Sequence, residues 1–586
     1  MGSTSAIIAI FLLLASRLFF LQVMNNDKYK LLAEKNRIYT TYSAAPRGTI
    51  FDRRGNALAT SSFSYRAAID LNQYNASNWE HLCKILSLDP NVPLSTYVNK
   101  QIHSVGPTLV IPIKDQLTWR EIAAVELLSS QAPGIVVIPQ IVRVYPYGCD
   151  CCHCVGYVTR PSQEDISNNA NLKVLDASIG KMGIERYFDA TLQGEIGIKQ
   201  IEVNAARRMV RLIDEKRSTK GKDVFLTIDI ELQKEIRSIM QDVRCGAIVV
   251  LDIKTGDILA SVSVPTFDPN LFSKAVTAKE WHELMNDKDL PLINRAVSGI
   301  YAPGSAFKPI VAIAALNNGT ISGSTRFFCS GYYEVNRSRF HCHSWRIGGH
   351  GSMDVVRALE KSCDVFFYNV AAKLGASPII NAAKDFGFGA KTNVELPEEK
   401  KGQLPPHGAT LQKQYVGQTI NLSIGQGQLT ATPLQLAVMT TRLASGQRVV
   451  PHLIKNIELS CAEETQIKCD RLPYSTSAFN FVRAGMAAVV KSGTGVRAQA
   501  GAFGIAGKTG STQVCRITKE ERQQGKIAER PYHLKDHAIF VGYAPVENPR
   551  IAVVVIVEHG ESGGRVAAPL AGKALIAAMR CLDGPR

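Results

Sequence analysis

The sequence YAPGSAFKP, residues 301–309, places Ser305 directly after a Pro-Gly turn and three residues before Lys308. An apolar run follows and ends at Asn317-Asn318-Gly319, which is typical of a helix C-terminus. The pattern predicts a buried helix with Ser305 in its first turn and Lys308 on the same face. An amine in that position can remove the serine proton, and the N–H groups at a helix start stabilise an anion. The S-x-x-K spacing alone is too common to establish a nucleophile.

Two later motifs make the case for catalysis. Ser362-Cys363-Asp364 precedes an aromatic helix pattern, and Lys508-Thr509-Gly510 lies in a strand-like run. The order S-x-x-K, S-x-[DN] and K-[ST]-G, spread over a domain-sized region, is the active-site signature of serine β-lactamases and penicillin-binding proteins. Ser305 is therefore predicted to be an acyl-accepting nucleophile.

The composition is that of a large globular protein. The chain has 586 residues, of which 45% are hydrophobic and 20% charged, so two or three domains with sizeable cores are expected. Its 67 basic and 51 acidic residues give a net charge of +16. The basic residues are scattered and form no zinc-finger or aromatic-plus-basic pattern, so nucleic acid is not expected as a partner.

The chain divides into three segments. Residues 1–24 contain an apolar stretch, 5–23, long enough to cross a bilayer as a helix, and it is predicted to be an anchor rather than a cleaved signal. Residues 25–220 have a mixed α/β pattern and end in the charge-rich linker 214–223, and residues 221–586 form the third segment. Basic residues follow the anchor but none precedes it, so the positive-inside rule alone would keep the body in the cytoplasm.

Strand patterns at both ends of the third segment indicate an α+β fold. Lys254–Asp257 and Glu547–Pro549 are turn sequences between β-rich runs, and each predicts a hairpin. A helical pattern fills the middle of the segment and returns at its end. We therefore expect a sheet that pairs the two ends of the domain and is flanked by helices. In the second segment, residues 180–197 predict one amphipathic helix bounded by glycines.

Longer stretches extend the signature beyond the catalytic motifs. The chain resembles the class B penicillin-binding proteins, most of all their elongation-type members, in RGTIFDRRGNALA, GIERYFDATLQGEIG, IEVNAARR, LINRAVSGIYAPGSAFKP, GQGQLTATPLQLA and KIAERPYHLKDHAIFVGYAPVENP. The resemblance implies a single-pass inner-membrane protein with a periplasmic pedestal, 25–220. It also implies a serine β-lactamase-like transpeptidase domain, 221–586, with an antiparallel sheet, which cross-links peptidoglycan stem peptides and is inhibited by β-lactams. The periplasmic location implied by the resemblance outweighs the cytoplasmic location that the flanking charges alone would suggest.

The catalytic roles follow from the resemblance and from the chemistry of the side chains. Ser305 would attack the carbonyl between two D-alanines of a stem peptide, with Lys308 as its base and Ser362 as proton relay to the leaving amine. Asp364 stands where asparagine is commoner, and an ionised aspartate accepts hydrogen bonds but donates none. Either Asp364 lies partly away from Lys308, or another group offsets its charge.

The third motif is expected to bind substrate. Lys508 and Thr509 can hold the substrate carboxylate by charge and hydrogen bonding. The oxyanion hole would consist of the N–H groups of Ser305 and of Ser511, which follows Gly510.

Thiols and imidazoles are concentrated between the first two motifs. They are Cys329, His341, Cys342, His343, His350 and Cys363. Such donors suit tetrahedral zinc, although incidental cysteines around a GGHG turn have the same composition. The resemblance implies one structural zinc here, and the family positions match Cys329, His350 and Cys363. The fourth ligand is Cys342 or His343, and we expect Cys342.

A second cysteine cluster lies in the pedestal, where the family has a plain segment. Its sequence is CDCCHC, residues 149–154. We expect exposed or partly oxidised thiols here rather than a second metal site.

Other functions share parts of the signature. A division-type class B enzyme has the same motifs, but the Cys/His region and KIAERPYHLKDH argue for elongation. A β-lactamase would need a deacylating carboxylate, and no E-x-x-L-N element lies between Asp364 and Lys508. A β-lactam sensor would need further membrane spans. No glycosyltransferase fits into residues 25–220, so the resemblance implies a multi-span glycosyltransferase partner of the shape, elongation, division and sporulation family, with other elongation-complex proteins.

Overall fold

The computed structural model describes most of the chain. It covers residues 2–583 except 27–36, 72, 76–77, 105–109, 170–171, 173, 175, 204–208, 275, 336–337, 407–415, 458–469, 500, 502, 516–520 and 522–529. The first helix, Gly2–Phe19, continues as a π-helical turn over Phe20–Met24. The segment Ile7–Met24 has a mean hydropathy of 2.3 and is not buried against the rest of the protein. This helix is long and apolar enough to cross a membrane, as predicted for the anchor.

The pedestal contains nine strands and seven helices in its described residues. The strands are β1 (Ile38–Ser43), β2 (Ile50–Phe51), β3 (Ala57–Asp70), β4 (Val110–Lys114), β5 (Ile135–Val144), β6 (Val158–Thr159), β7 (Ile179–Gly180), β8 (Gly197–Val203) and β9 (Met209–Lys216). The helices are Trp79–Leu86, Leu94–Ser104, Trp119–Ser129, Cys152–Val155, Gln163–Asn168, Gly183–Tyr187 and Asp189–Gln193.

Two sequence predictions for the pedestal need correction. The single helix expected over 180–197 is two short helices, because Phe188 leaves the helical conformation at φ −103° and packs against the core. The expected linker 214–223 is partly strand, since β9 extends to Lys216 and pairs with β8.

A buried ionic cluster joins the pedestal hairpin to these short helices. Glu185 is fully buried and accepts bonds from Arg47 Nη2 at 2.8 Å and from Arg143 Nε at 2.6 Å. Arg47 Nη1 also lies 2.9 Å from Asp189 Oδ1. Burial by itself would raise the pKa of Glu185, but the two guanidinium groups outweigh it and hold that pKa below its usual value. The cluster is therefore structural.

The C-terminal domain follows with eleven strands and eleven α-helices in its described residues. The strands are β10 (Val224–Leu226), β11 (Gly246–Asp252), β12 (Ile258–Val264), β13 (Phe327–Cys329), β14 (Tyr332–Val335), β15 (Ser338–His341), β16 (Gly351–Met353), β17 (Ile454–Ile457), β18 (Ala506–Thr512), β19 (His537–Ala544) and β20 (Ile551–Val557). The helices are Ile230–Ile239, Ala278–Met285, Arg295–Ser298, Lys308–Asn317, Val355–Glu360, Asp364–Leu374, Ala376–Asp385, Val416–Ser423, Pro433–Ser445, Thr476–Lys491 and Ala568–Asp583.

The central sheet confirms the predicted α+β fold. Its order is β12-β11-β20-β19-β18, with every neighbouring pair antiparallel. Both predicted hairpins are present, and β11 pairs with β20, so the sheet joins the two ends of the domain. Alternate residues of β11 enter two different cores. Val249 belongs to the core that includes the helix Pro433–Ser445, and Val250 belongs to the core that includes the C-terminal helix, Ala568–Asp583.

The two domains share a sheet. Its strand order is β17-β10-β2-β3-β4, with β5 also paired to β3. Strand β10 runs parallel to β2 of the pedestal and antiparallel to β17 of the C-terminal domain. Next to it, Arg54 Nε donates to Asp229 Oδ2 at 2.6 Å across the junction.

The pedestal cysteine cluster lies at the same junction, and the expectation of exposed thiols is wrong. Cys151, Cys152 and Cys154 are at most 2% exposed and carry free thiols. The Cys154 thiol donates to the carbonyl of Ser261 in β12 at 3.4 Å. These residues are apolar packing between the domains, which the spacing of cysteines in a sequence cannot reveal.

Candidate active site

The nucleophile candidate lies in a tight turn just ahead of its helix. Ser305 belongs to a 3-10 turn, Gly304–Phe307, and the α-helix begins at Lys308, three residues later than predicted. Gly304 has φ +54°, and a Cβ atom there would lie 2.8 Å from the carbonyl oxygen of Ser511. Only glycine allows the serine turn to approach strand β18 this closely. The Ser305 hydroxyl has no hydrogen-bond partner among the described residues.

The hydroxyl of Ser362 lies between the two lysines. Lys508 Nζ donates to Ser362 Oγ at 2.9 Å, and Lys308 Nζ donates to the same oxygen at 3.2 Å. Lys308 Nζ also donates to the Ser362 carbonyl at 2.8 Å. Ser362 has φ +53°, a left-handed conformation that is strained for a serine and is held by these contacts. The structure thus brings three of the predicted catalytic residues into one network.

Asp364 is bonded directly to the first lysine. Lys308 Nζ donates to Asp364 Oδ1 at 2.6 Å, and the N–H of His343 donates to Asp364 Oδ2 at 3.1 Å. Burial would raise the pKa of Asp364, but Lys308 and His343 outweigh it and lower that pKa. Of the two arrangements considered for Asp364, the structure has the second, in which neighbouring groups offset its charge.

Lys508 is completely buried, with no exposed surface. Burial lowers its pKa well below the usual lysine value, and the nearby Lys308 cation adds to the shift. Because Lys508 lies beneath the cleft wall, its nearest contacts are Ser362 and the carbonyl of Thr509. The interaction of Lys508 with a substrate carboxylate stays a prediction.

The motifs meet at a cleft of about 1200 Å³. Its lining includes Ser305, Ser362, Asp364, Thr509, Gly510 and Ser511. Gly510 brings β18 against the serine turn, since a Cβ atom there would lie 2.9 Å from the carbonyl oxygen of Pro303. The Ser511 hydroxyl accepts a bond from the N–H of Gly563 at 3.3 Å. The cleft can thus admit an extended peptide beside β18, next to the serine hydroxyl.

Some lining residues were given no role by the sequence. Thr494 shares a 2.7 Å hydrogen bond with the hydroxyl of Thr509, and Asn421 and Gln426 lie on the opposite wall. Gln426 lies within the stretch GQGQLTATPLQLA, so the family resemblance contained a signal for it, whereas Asn421 lies four residues before that stretch. His343 and Thr494 come from loops, and nothing in their local sequence predicts a contact with a motif.

Four of the predicted metal-ligating residues converge beside this site. The thiols of Cys329, Cys342 and Cys363 and a ring nitrogen of His350 all lie within 4.8 Å of one another. His350 Nδ1 is 3.7 Å from Cys329 Sγ and 3.5 Å from Cys342 Sγ. Three thiols and one imidazole form a donor set that zinc prefers. His343 Nδ1 lies 3.6 Å from Asp364 Oδ2 and 3.9 Å from Cys342 Sγ, outside this group of four residues.

Comparisons with known proteins agree with this architecture. Residues 246–576 match the penicillin binding protein transpeptidase domain, and residues 42–226 match the penicillin-binding protein dimerisation domain. A peptidoglycan D,D-transpeptidase MrdA of Haemophilus influenzae is 34% identical over 584 residues, which cover 96% of this chain and 88% of that protein.

Comparison with solved structures points to the same family. Penicillin-binding protein PBP2 of Helicobacter pylori, in complex with MreC, superposes with a TM-score of 0.79 at 27% identity, over 93% of this chain and 99% of that one. A chain from a peptidoglycan synthase complex that couples polymerization and crosslinking superposes with a TM-score of 0.72 at 27% identity, covering 98% and 97% of the two chains. The chain therefore belongs to the class B penicillin-binding proteins.

Proposed function

We propose that this chain is the peptidoglycan D,D-transpeptidase of cell elongation and that Ser305 is its nucleophile. The Ser305 hydroxyl attacks the carbonyl between two D-alanines of a donor stem peptide. The C–N bond then breaks, D-alanine leaves, and an ester joins the peptide to Oγ. The amine of a second stem peptide attacks this ester, and Ser305 recovers its proton. β-Lactams acylate the same hydroxyl.

The two lysines and Ser362 move the protons. Lys308 in its neutral form accepts the proton of Ser305 as the bond to substrate forms, and this proton passes on to Ser362. Ser362 receives hydrogen bonds from both amines and passes a proton to the departing amine of D-alanine. The N–H groups of Ser305 and Ser511 stabilise the oxyanion. The substrate carboxylate binds to the hydroxyl of Thr509, on the cleft wall.

The observation that carries this proposal is the position of Ser362 Oγ, 2.9 Å from Lys508 Nζ and 3.2 Å from Lys308 Nζ, beside the cleft that Ser305 lines. Membranes containing the full chain would be treated with a fluorescent penicillin. We expect covalent label on the wild type and none on Ser305→Ala, which removes one small polar group and should leave the fold intact. Label that persists on another serine would contradict the proposal.

We further propose that one structural zinc ion is held by Cys329, Cys342, His350 and Cys363. The mutual distances of their donor atoms, within 4.8 Å, support this assignment. A bound zinc crosslinks the loop between the first two motifs and can contribute on the order of 10 kcal/mol to local folding. Cys363 directly precedes Asp364 and follows Ser362, so a fixed Cys363 also fixes the proton relay.

The apolar helix Gly2–Phe19 and its π-helical turn fit a single-pass anchor. We infer that the anchor lies in the inner membrane and that the pedestal and transpeptidase domain lie in the periplasm, where stem peptides are cross-linked. The similar solved structures include a PBP2 in complex with MreC and a peptidoglycan synthase complex that coordinates polymerization and crosslinking. By analogy, this chain would work with elongation-complex proteins and a multi-span glycosyltransferase, which supplies the glycan strands.

A further inference from the structure

Strand β18 presents different residues of the third motif on its two faces. Lys508 points inwards, where its Nζ donates to Ser362 Oγ at 2.9 Å, and a Cβ atom at Gly510 would point at the serine turn. Side chains alternate along a strand, so Thr509 and Ser511 share the opposite face. Both residues line the cleft. The hydroxyl of Thr509, to which we assign the substrate carboxylate, therefore lies on the face of β18 opposite to the Lys508 side chain.

A π-helical turn that begins at Gly563 packs against this second face. The N–H of Gly563 donates to Ser511 Oγ at 3.3 Å, and a Cβ atom at Gly564 would lie 3.8 Å from Cγ2 of Thr509. Arg565 is the next residue of this turn, and it also lines the cleft. The turn therefore brings an arginine to the wall on which the substrate carboxylate is expected.

The guanidinium of Arg565 is available to a ligand. Arg565 is exposed and has no ion-pair partner among the described residues. Two carboxylates line the cleft in the described part of the chain, and other cations act on both of them. Asp364 pairs with Lys308, and Asp536 interacts with the Arg530 cation. An unpaired guanidinium can bind a carboxylate through two parallel N–H donors, which supply both charge and orientation.

We propose that Arg565 binds the terminal carboxylate of the donor stem peptide, together with the Thr509 hydroxyl, and so selects donors and β-lactams that carry this carboxylate. A single residue separates the carboxylate from the scissile carbonyl, so the carboxylate stays close to the Ser511 N–H, on the strand that the turn of Arg565 contacts. Arg497 also lines the cleft, but the contact of the turn with Thr509 and Ser511 favours Arg565. The inference rests on the proposed function and adds a specificity residue outside the three motifs.

The test compares benzylpenicillin, which carries the carboxylate, with its methyl ester, which does not. The second-order rate of acylation of the full-length chain in detergent is measured for each compound by intact-protein mass. We expect the wild type to prefer the carboxylate, and Arg565→Gln to slow the carboxylate compound about tenfold, the effect of one charge-assisted bond, while the ester rate stays unchanged. Arg565→Lys keeps the charge and should keep part of the preference. Arg580→Gln removes a cation that pairs with Glu235 outside the cleft and should change neither rate.

The ester separates a binding role of Arg565 from a structural one. An Arg565→Gln protein that reacts more slowly with both compounds has a disturbed turn, and this result would overturn the inference. An unchanged preference in Arg565→Gln would overturn it too, as would a preference lost in Arg497→Gln alone. All three results leave Ser305 acylated in the wild type and the proposed function intact. A wild type that penicillin does not acylate at Ser305 would overturn the proposed function, and the inference with it.

Discussion

Lys308 Nζ lies 2.6 Å from Asp364 Oδ1, and this ion pair is buried beneath the serine turn, with the Lys308 side chain at 0% exposure and that of Asp364 at 13%. All three donors of the Lys308 ammonium have acceptors, two on Ser362 and one on Asp364. These three bonds hold the lysine in one orientation before any substrate arrives.

The first prediction concerns the base. Lys308→Ala should abolish acylation by penicillin as thoroughly as loss of Ser305, because the serine hydroxyl then keeps its proton at neutral pH. Labelling with fluorescent penicillin, alongside a thermal melt to check folding, measures this. Labelling close to wild type in a folded variant would make Lys308 a structural residue only.

The second prediction concerns the energy of the pair. Lys308→Met and Asp364→Asn should each destabilise the protein by about 3–5 kcal/mol, because each leaves a buried charge without its partner. The double variant removes both charges and should lose clearly less than the sum of the two single changes. Urea unfolding of the four proteins gives the coupling energy. Strict additivity would mean that the two charges do not stabilise each other.

The third prediction concerns metal. Cys363→Ser and His350→Ala should each lower zinc content and thermal stability together, and should slow acylation because Ser362 is displaced. Elemental analysis of the purified wild type should find about one zinc per chain. Cys149 is a partly exposed cysteine outside this group, so Cys149→Ser serves as the control. It should change neither the zinc content nor the thermal stability. A zinc-free wild type that acylates at full rate would refute the assignment.

The fourth prediction concerns the stability of the protein at low pH. The pKa of Glu185 is lower in the folded protein than its unfolded value of about 4.3, so its stabilisation is present above that pH and is lost as the pH falls through the lower, folded value. Glu185→Gln should lower the melting temperature at pH 7 and flatten its decline between pH 5 and pH 3. Glu195→Gln alters an exposed ion pair with Lys216 and should leave the profile unchanged. Parallel profiles for Glu185→Gln and wild type would contradict the prediction.

Local signals predicted the parts of the fold that depend on local chemistry. The turns at Lys254–Asp257 and Glu547–Pro549 combine glycine, asparagine or proline with flanking β-branched runs, and both hairpins are present. The order of the three motifs predicted which residues meet at the cleft, because their residue types have few other uses in combination. The Cys/His spacing predicted which loop holds the metal-ligating candidates.

Long-range packing set the features that the sequence did not predict. The burial of Cys151, Cys152 and Cys154 results from the contact of two domains, and the break at Phe188 results from its entry into a core. The contact of His343 with Asp364 joins a loop to a helix N-terminus. Each depends on residues distant in the chain, so no local pattern contains it.

Strand β10 gives the pedestal a mechanical role. It is bonded on one side to β2 and on the other to β17, and its chain leads within three residues into the helix Ile230–Ile239. The two domains are joined here by backbone hydrogen bonds and not by a flexible linker. A force that rotates the pedestal is therefore transmitted to the catalytic domain through this strand. A partner protein that binds the pedestal can therefore change or fix the orientation of the catalytic domain. It would orient the cleft towards the glycan strands without contacting the cleft.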